Sequence, residues 1–138
     1  MRRLSLAFLI GALACGHEST KPVIIDGTYQ LESVINAALP TTIVSDTASG
    51  YSLIIRAGAF AVRSDATFSS TLTREELVHG VSTVSTVNCD GRYTHSGQTL
   101  LFIEAVSTNC GSSYVGSWDG GNTMKVTYDP QTVAVFRR

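Results

Sequence analysis

From residue 27 to the end, short runs of β-favouring residues alternate with turn signals at close spacing, and this rhythm constrains the fold more than any other feature. Runs this short cannot form long helices, and tight turns between them favour antiparallel pairing of sequence neighbours. Gly27–Ile35 opens the series, with Tyr29, Leu31 and Ile35 expected on one face. Asn36–Pro40 reads as a turn, and the polar stretch 41–49 as a short edge strand and a loop. Tyr51–Arg56 (Tyr51, Leu53 and Ile55 on one face) and Ala59–Arg63 (Phe60 and Val62 together) read as separate strands. After a turn at Ser64–Ala66, Thr67–Thr73 is a strand with Phe68 and Leu72 sharing a face. Arg74–Gly80 fits one helical turn or a hairpin loop.

In Val81–Val87 the valines fall at 81, 84 and 87, a spacing that a bulge would reconcile with a strand. Arg92–His95, the pair Ser96-Gly97 and Gln98–Glu104 read as one hairpin. Leu100–Ile103 is continuously apolar, the pattern of a strand buried on both faces. Beyond a loop over residues 106–112, Ser113–Trp118 places Tyr114 and Trp118 together. Thr123–Tyr128 alternates, with Met124, Val126 and Tyr128 inward. Asp129-Pro130 turns the chain into a closing strand at Thr132–Phe136. The expectation is an all-β fold, an antiparallel meander of about eight to ten strands. A meander of that size closes into a barrel, which removes its free edges. Such a barrel has room for side chains or one small ligand.

With 138 residues the chain makes one ordinary domain, and 15% charged against 43% hydrophobic residues argues against disorder. The net charge is −1; cleavage before Cys15 would remove Arg2 and Arg3, leaving eight basic against eleven acidic groups, or −3. No interior cluster of Lys and Arg remains to neutralise phosphates, so a nucleic-acid partner is not expected.

Met1-Arg2-Arg3 followed by the uncharged apolar run Leu4–Ala14 has the layout of a secretory signal, too short to span a bilayer. It ends in Ala12-Leu13-Ala14-Cys15, which resembles the lipobox of bacterial lipoproteins, although Ala12 stands where Leu is more usual. That resemblance implies cleavage before Cys15, lipid on Cys15, and a membrane anchor made stable by more than one acyl chain. Gly16, in place of an Asp, implies passage to the outer membrane, facing the periplasm. The expected organisation is a lipoprotein signal peptide at 1–14, a lipidated cysteine and flexible tether at 15–26, and a barrel domain at 27–138.

Cys89 and Cys110 remain as a pair in an oxidising compartment, where a disulfide is the default expectation. Closing a loop of about 20 residues contributes on the order of 3 kcal/mol. Two buried free thiols, or a redox or metal pair, are the alternatives; no CxxC spacing or nearby His supports the last.

Gly27-Thr-Tyr-Gln-Leu-Glu-Ser-Val, Leu39-Pro40, Ser64-Asp65-Ala66-Thr67-Phe68, Gly91-Arg92-Tyr93, Ser96-Gly97 and the closing Val133–Arg138 resemble the small lipocalin-like domains of bacterial envelope lipoproteins. The resemblance implies a small β-barrel and brings no catalytic residues; Ala66 departs from the Asp-Gly turn usual there. His17, His79 and His95 fall in tether, loop and turn. No Ser sits in Gly-x-Ser-x-Gly. Glu75-Glu76 reads as a solvated loop whose neighbouring carboxylates point apart. Glu104, if inward, needs a partner such as Arg56, Arg63 or Arg92. No catalytic, metal or cofactor site is expected. The expected function is non-covalent binding of a small apolar ligand, with Tyr29, Phe60, Phe68, Phe102, Tyr114, Trp118 and Tyr128 as candidate cavity lining. The alternative is a structural or protein-interaction module of the envelope, with a packed barrel and an exposed apolar patch.

Overall fold

The computed structural model describes residues 25–105, 110 and 112–138. The leader at 1–14, Cys15 and the tether up to residue 24 lie outside the described residues. The strands are β1 (Gly27–Val34), β2 (Ala37–Ala38), β3 (Thr41–Asp46), β4 (Tyr51–Val62) and β5 (Thr67–Val78). They continue as β6 (Val81–Ser96), β7 (Thr99–Glu104), β8 (Ser113–Trp118), β9 (Thr123–Asp129) and β10 (Thr132–Arg137). Neighbours run β1-β10-β9-β8-β7-β6-β5-β4, all antiparallel, and β1 pairs with β4 to close an eight-stranded barrel.

The closing seam is short. Gly27–Gln30 pair with Val62–Ala59, and beyond that point the strands part company. There β1 pairs with the two-residue β2, and β4 pairs with β3. Meanwhile β4, β5 and β6 run on past the barrel, since β6 meets β7 only from Gly91 to Ser96. The barrel therefore has unlike ends. The floor holds Ile25, the C-terminal Arg138 and the turns at 63–66, 97–98 and 119–122. The mouth carries the turn at 35–36, the turn between β9 and β10, and a projection made of β3 with the extended parts of β4, β5 and β6.

Alternation explains which residues fill the interior. Phe60 is fully buried at the centre; its ring lies 5.1 Å from Phe68, 4.8 Å from Phe102 and 5.6 Å from Phe136. Tyr29, Tyr93, Leu100, Trp118 and Met124 close the floor beneath it. Gly116 makes the dense middle possible, because a Cβ there would come within 2.8 Å of the Phe102 ring.

Several local expectations need correction. Tyr51–Val62 is one strand, not two; a bulge at Arg56 shifts its phase, so Ile55 and Phe60 both face inward across an odd spacing. Arg74–Gly80 is neither helical turn nor loop up to Val78: β5 continues to Val78, and His79-Gly80 (φ 51° and 81°) alone make the turn. Val81–Val87 contains no bulge, since β6 keeps unbroken register with β5 from Val81 to Arg92. Its valines simply alternate between the two faces of the strand, Val81 and Val84 exposed and Val87 half-buried. Leu100–Ile103 is buried on one face only: Leu100 and Phe102 point in, while Leu101 and Ile103 are 41% and 52% exposed on the outer wall. Ile35 leaves the inner face for a turn with Asn36 (φ 52° and 60°), and Val34 takes the inward place. The hairpin turn is Gly97-Gln98, one residue later than expected, with Ser96 paired to Thr99. Ala66, which departs from the expected Asp-Gly turn, adopts φ 64°.

Candidate functional site

The interior is not filled along its whole length. At the mouth a cavity of about 150 Å³ is lined by Leu31, Val34, Ile43, Ile55, Leu72 and Ala134, with Phe136 beneath and Tyr128 and Thr132 at its side. Its walls are almost wholly apolar. The local chain explains the space: where β1 and β4 separate, aliphatic Leu31, Val34 and Ile43 stand in place of aromatic rings, and Ala134 is the smallest inward residue of β10. Ile55 and Leu53 lie two apart on one face of β4, and Val44 is paired with Leu53. From the cavity, half-buried Leu53 and exposed Val44 carry an apolar strip onto the inner face of the projection, beside the Arg74–Glu76 ion pair that shares this face.

The candidate lining residues divide between this cavity and the packed interior. Tyr128 lines the cavity. Tyr29, Phe60, Phe68, Phe102, Tyr114 and Trp118 instead pack in the core, each buried. The aliphatic lining residues were the harder ones to foresee, because Leu, Ile and Val at inward positions look the same whether they meet a neighbour or a void. The only usable signal was the change from aromatic to aliphatic along β1 and β4.

Polar groups gather beside the cavity. The Tyr114 and Tyr128 rings are 5.0 Å apart. Burial, then the charge of Glu104, push the Tyr128 hydroxyl well above the usual tyrosine range; burial and the nearby Tyr128 and Glu104 do the same to Tyr114. Both are neutral phenols at physiological pH. The Tyr114 hydroxyl is buried without a hydrogen-bond partner, and Glu104 and Ser70 are the polar side chains facing it. Glu104 accepts a hydrogen bond from the Ser112 N–H at 3.1 Å. Of the arginines considered for it, Arg56 is engaged with Glu75 and Arg63 with Ser69, while Arg92 lies opposite Ile103 on the outer wall.

Cys89 and Cys110 form a disulfide, with Cα atoms 6.0 Å apart, tying the connection between β7 and β8 to β6 at the mouth. Among the described residues, Cys89, Glu104 and Cys110 are the one group whose ligand atoms converge within 4.8 Å. Their sulfurs are bonded to each other, so they offer no thiolate to a metal.

Glu75 corrects the expectation of a solvated loop. It lies on β5, buried on the face of the projection opposite Arg74 and Glu76. It accepts a hydrogen bond from Arg56 Nε at 2.7 Å and another from the Ser82 hydroxyl. The Ser82 hydroxyl, then Arg56, hold its carboxyl below the usual range. Glu76 points the other way and pairs with Arg74 at 3.3 Å. The two carboxylates cannot act on one substrate. His79 at the tip of the projection and His95 near the floor are both exposed and far apart in the fold. No protein-family model matches the chain, and no curated protein is similar to it in sequence.

Proposed function

We propose that this protein is a lipid-anchored binding protein of the bacterial envelope that takes one apolar end of a small ligand into the barrel mouth. The observation that carries the reading is the apolar cavity of about 150 Å³ beneath the projection. A pocket of that size with aliphatic and aromatic walls has room for a benzene-sized group. It is too small for a whole ligand, since sites for drug-sized molecules run from about 300 Å³ upward. The occupant is therefore an amphiphile that buries a ring or a chain end of about six carbons and lays the remainder along Leu53 and Val44. No charge lines the cavity, so affinity comes from removing apolar surface from water. A lipid on Cys15 would join the barrel through Ile25, at the floor.

The test compares the wild-type chain with Ala134→Leu, which fills the cavity. Hexanol and benzene are expected to raise the melting temperature of the wild type by a few degrees and leave Ala134→Leu unmoved. The variant's own melting curve reports that it folds. Equal responses in both proteins overturn the reading.

A structural or interaction role rests on a different observation. Leu101, Ile103 and Val115 stand together on the outer wall, 41%, 52% and 49% exposed, with Leu101 directly opposite Val115. That reading expects no response to hexanol in either protein.

A further inference from the structure

The projection has two long edges, and they are built differently. On β3 the edge is blunted: Pro40 precedes it, a bulge falls between Thr42 and Val44, and Asp46 ends it. Natural sheets use these devices to prevent pairing with another chain. On β6 they are missing. Val81-Ser-Thr-Val-Ser-Thr-Val87 carries no charge and no proline, and its register with β5 is unbroken. Among the described residues, no strand hydrogen-bonds to its far side over this span. Val81 and Val84, 67% and 58% exposed, are the most exposed large apolar residues described. Valine and threonine in such a row favour strand pairing.

We propose that this edge pairs antiparallel with the same edge of a second copy of the chain, about a two-fold axis through Val84. The segment reads the same in both directions by residue class: valine, two hydroxyls, valine, two hydroxyls, valine. Pairing centred on Val84 sets Val81 against the partner's Val87, Ser82 against the partner's Thr86 and Thr83 against the partner's Ser85. Val84 meets the partner's Val84 on the axis. Apolar meets apolar and hydroxyl meets hydroxyl, the pairs that stabilise neighbouring strands. A slip of one residue sets valine against hydroxyl and flips every side chain to the other face. No like charges face one another across the junction. The contact is isologous, so it closes at two copies and does not propagate. It turns the four strands of the projection into a continuous eight-stranded sheet, without involving the barrel cavity.

One strand edge buries less than a standard interface, so association in the micromolar range is expected. The experiment uses the full chain carrying Cys15→Ser, leaving Cys89 and Cys110 paired. Sedimentation across the micromolar range is expected to show a monomer–dimer equilibrium. Val84→Lys brings two ammonium groups together on the axis and is expected to weaken it by at least about tenfold, with an unchanged melting temperature. Under mild oxidation, Val84→Cys is expected to crosslink to itself and Val81→Cys alone is not; mixing Val81→Cys with Val87→Cys restores the crosslink. A chain monomeric throughout overturns the proposal. So does a dimer indifferent to Val84→Lys with no crosslink through Val84→Cys, which would place the contact elsewhere, such as the Leu101–Val115 wall.

Discussion

The two ends of the barrel solve the same problem in opposite ways. At the floor, large rings fill the interior and every polar tip finds a partner. Tyr29 donates its hydroxyl to the Ile25 carbonyl at 3.1 Å, Tyr93 to the Arg63 carbonyl at 2.9 Å, and Trp118 its indole N–H to the Gly121 carbonyl at 3.0 Å. Arg138 covers the Tyr29 ring from 5.5 Å and donates to the Asp26 carbonyl. At the mouth, smaller side chains leave a cavity, a buried hydroxyl has no partner among the described residues, and the strands continue past the barrel as a sheet whose outer edges pair with no described strand. Concentrating well-satisfied aromatic packing at one end lets the other remain open without losing the fold.

The largest test of this contrast sets Phe60→Ala against Leu31→Ala. Phe60 touches rings on several strands, so its loss is expected to cost about 3–5 kcal/mol. Leu31 already borders a void, so its truncation is expected near the low end for buried leucine, about 2 kcal/mol. Chemical denaturation measures both. Equal losses would mean that the mouth is as tightly packed as the core.

Reduction of Cys89–Cys110 comes next. The bridge closes a loop between residues 21 apart, and opening it is expected to cost on the order of 3 kcal/mol through the entropy of the unfolded chain. Hydrogen exchange should place the added mobility at the mouth, around residues 89 and 104. If exchange rises first at Trp118 and Met124, the bridge supports the floor and the contrast fails.

Acid should act on the projection through Glu75, separately from the turns at Asp65, Asp119 and Asp129, whose carboxyls hydrogen bonds also hold below the usual range. Glu75 has its carboxyl depressed by Ser82 and Arg56, so it contributes stability above the ordinary glutamate range. That contribution is lost as pH falls through its lowered folded value. Exchange protection of β5 and β6 between residues 74 and 85 is therefore expected to fall in acid before the barrel melts, and Glu75→Gln to remove that step. A pH-independent projection would show that the pair holds nothing in place.

The barrel was legible because turns punctuate nearly every strand and alternation marks the inward side. Met124 and Val126, or Tyr114 and Trp118, can be read directly from spacing, whereas Tyr128, expected inward with them, stands at the rim of the mouth at 42% exposure. The mouth was hard to read for identifiable reasons. At Arg56 a bulge imitates the end of a strand, so one long strand looks like two short ones. In Val81–Val87 neither face is deeply buried, so no burial pattern selects a phase and the period of three misleads. Leu101 and Ile103 are apolar but outside, which makes a half-buried strand resemble a central one. The cavity depends on where β1 and β4 separate, a distance between strands that local sequence does not encode.

The smallest expected effect is the sharpest, because it concerns one oxygen atom. Floor tyrosines 29 and 93 give their hydroxyls to carbonyl groups, whereas Tyr114 is buried at 4% exposure with none. An unmade hydrogen bond of this kind costs about 1–3 kcal/mol. Tyr114→Phe keeps the ring against Tyr128 and Phe102 and removes the oxygen. It is expected to raise stability by about 1 kcal/mol, while Tyr93→Phe lowers it by a similar amount. The signs matter more than the sizes. If Tyr114→Phe is destabilising, its hydroxyl bonds to Glu104 or Ser70 in solution, and the mouth satisfies its polar groups as fully as the floor does.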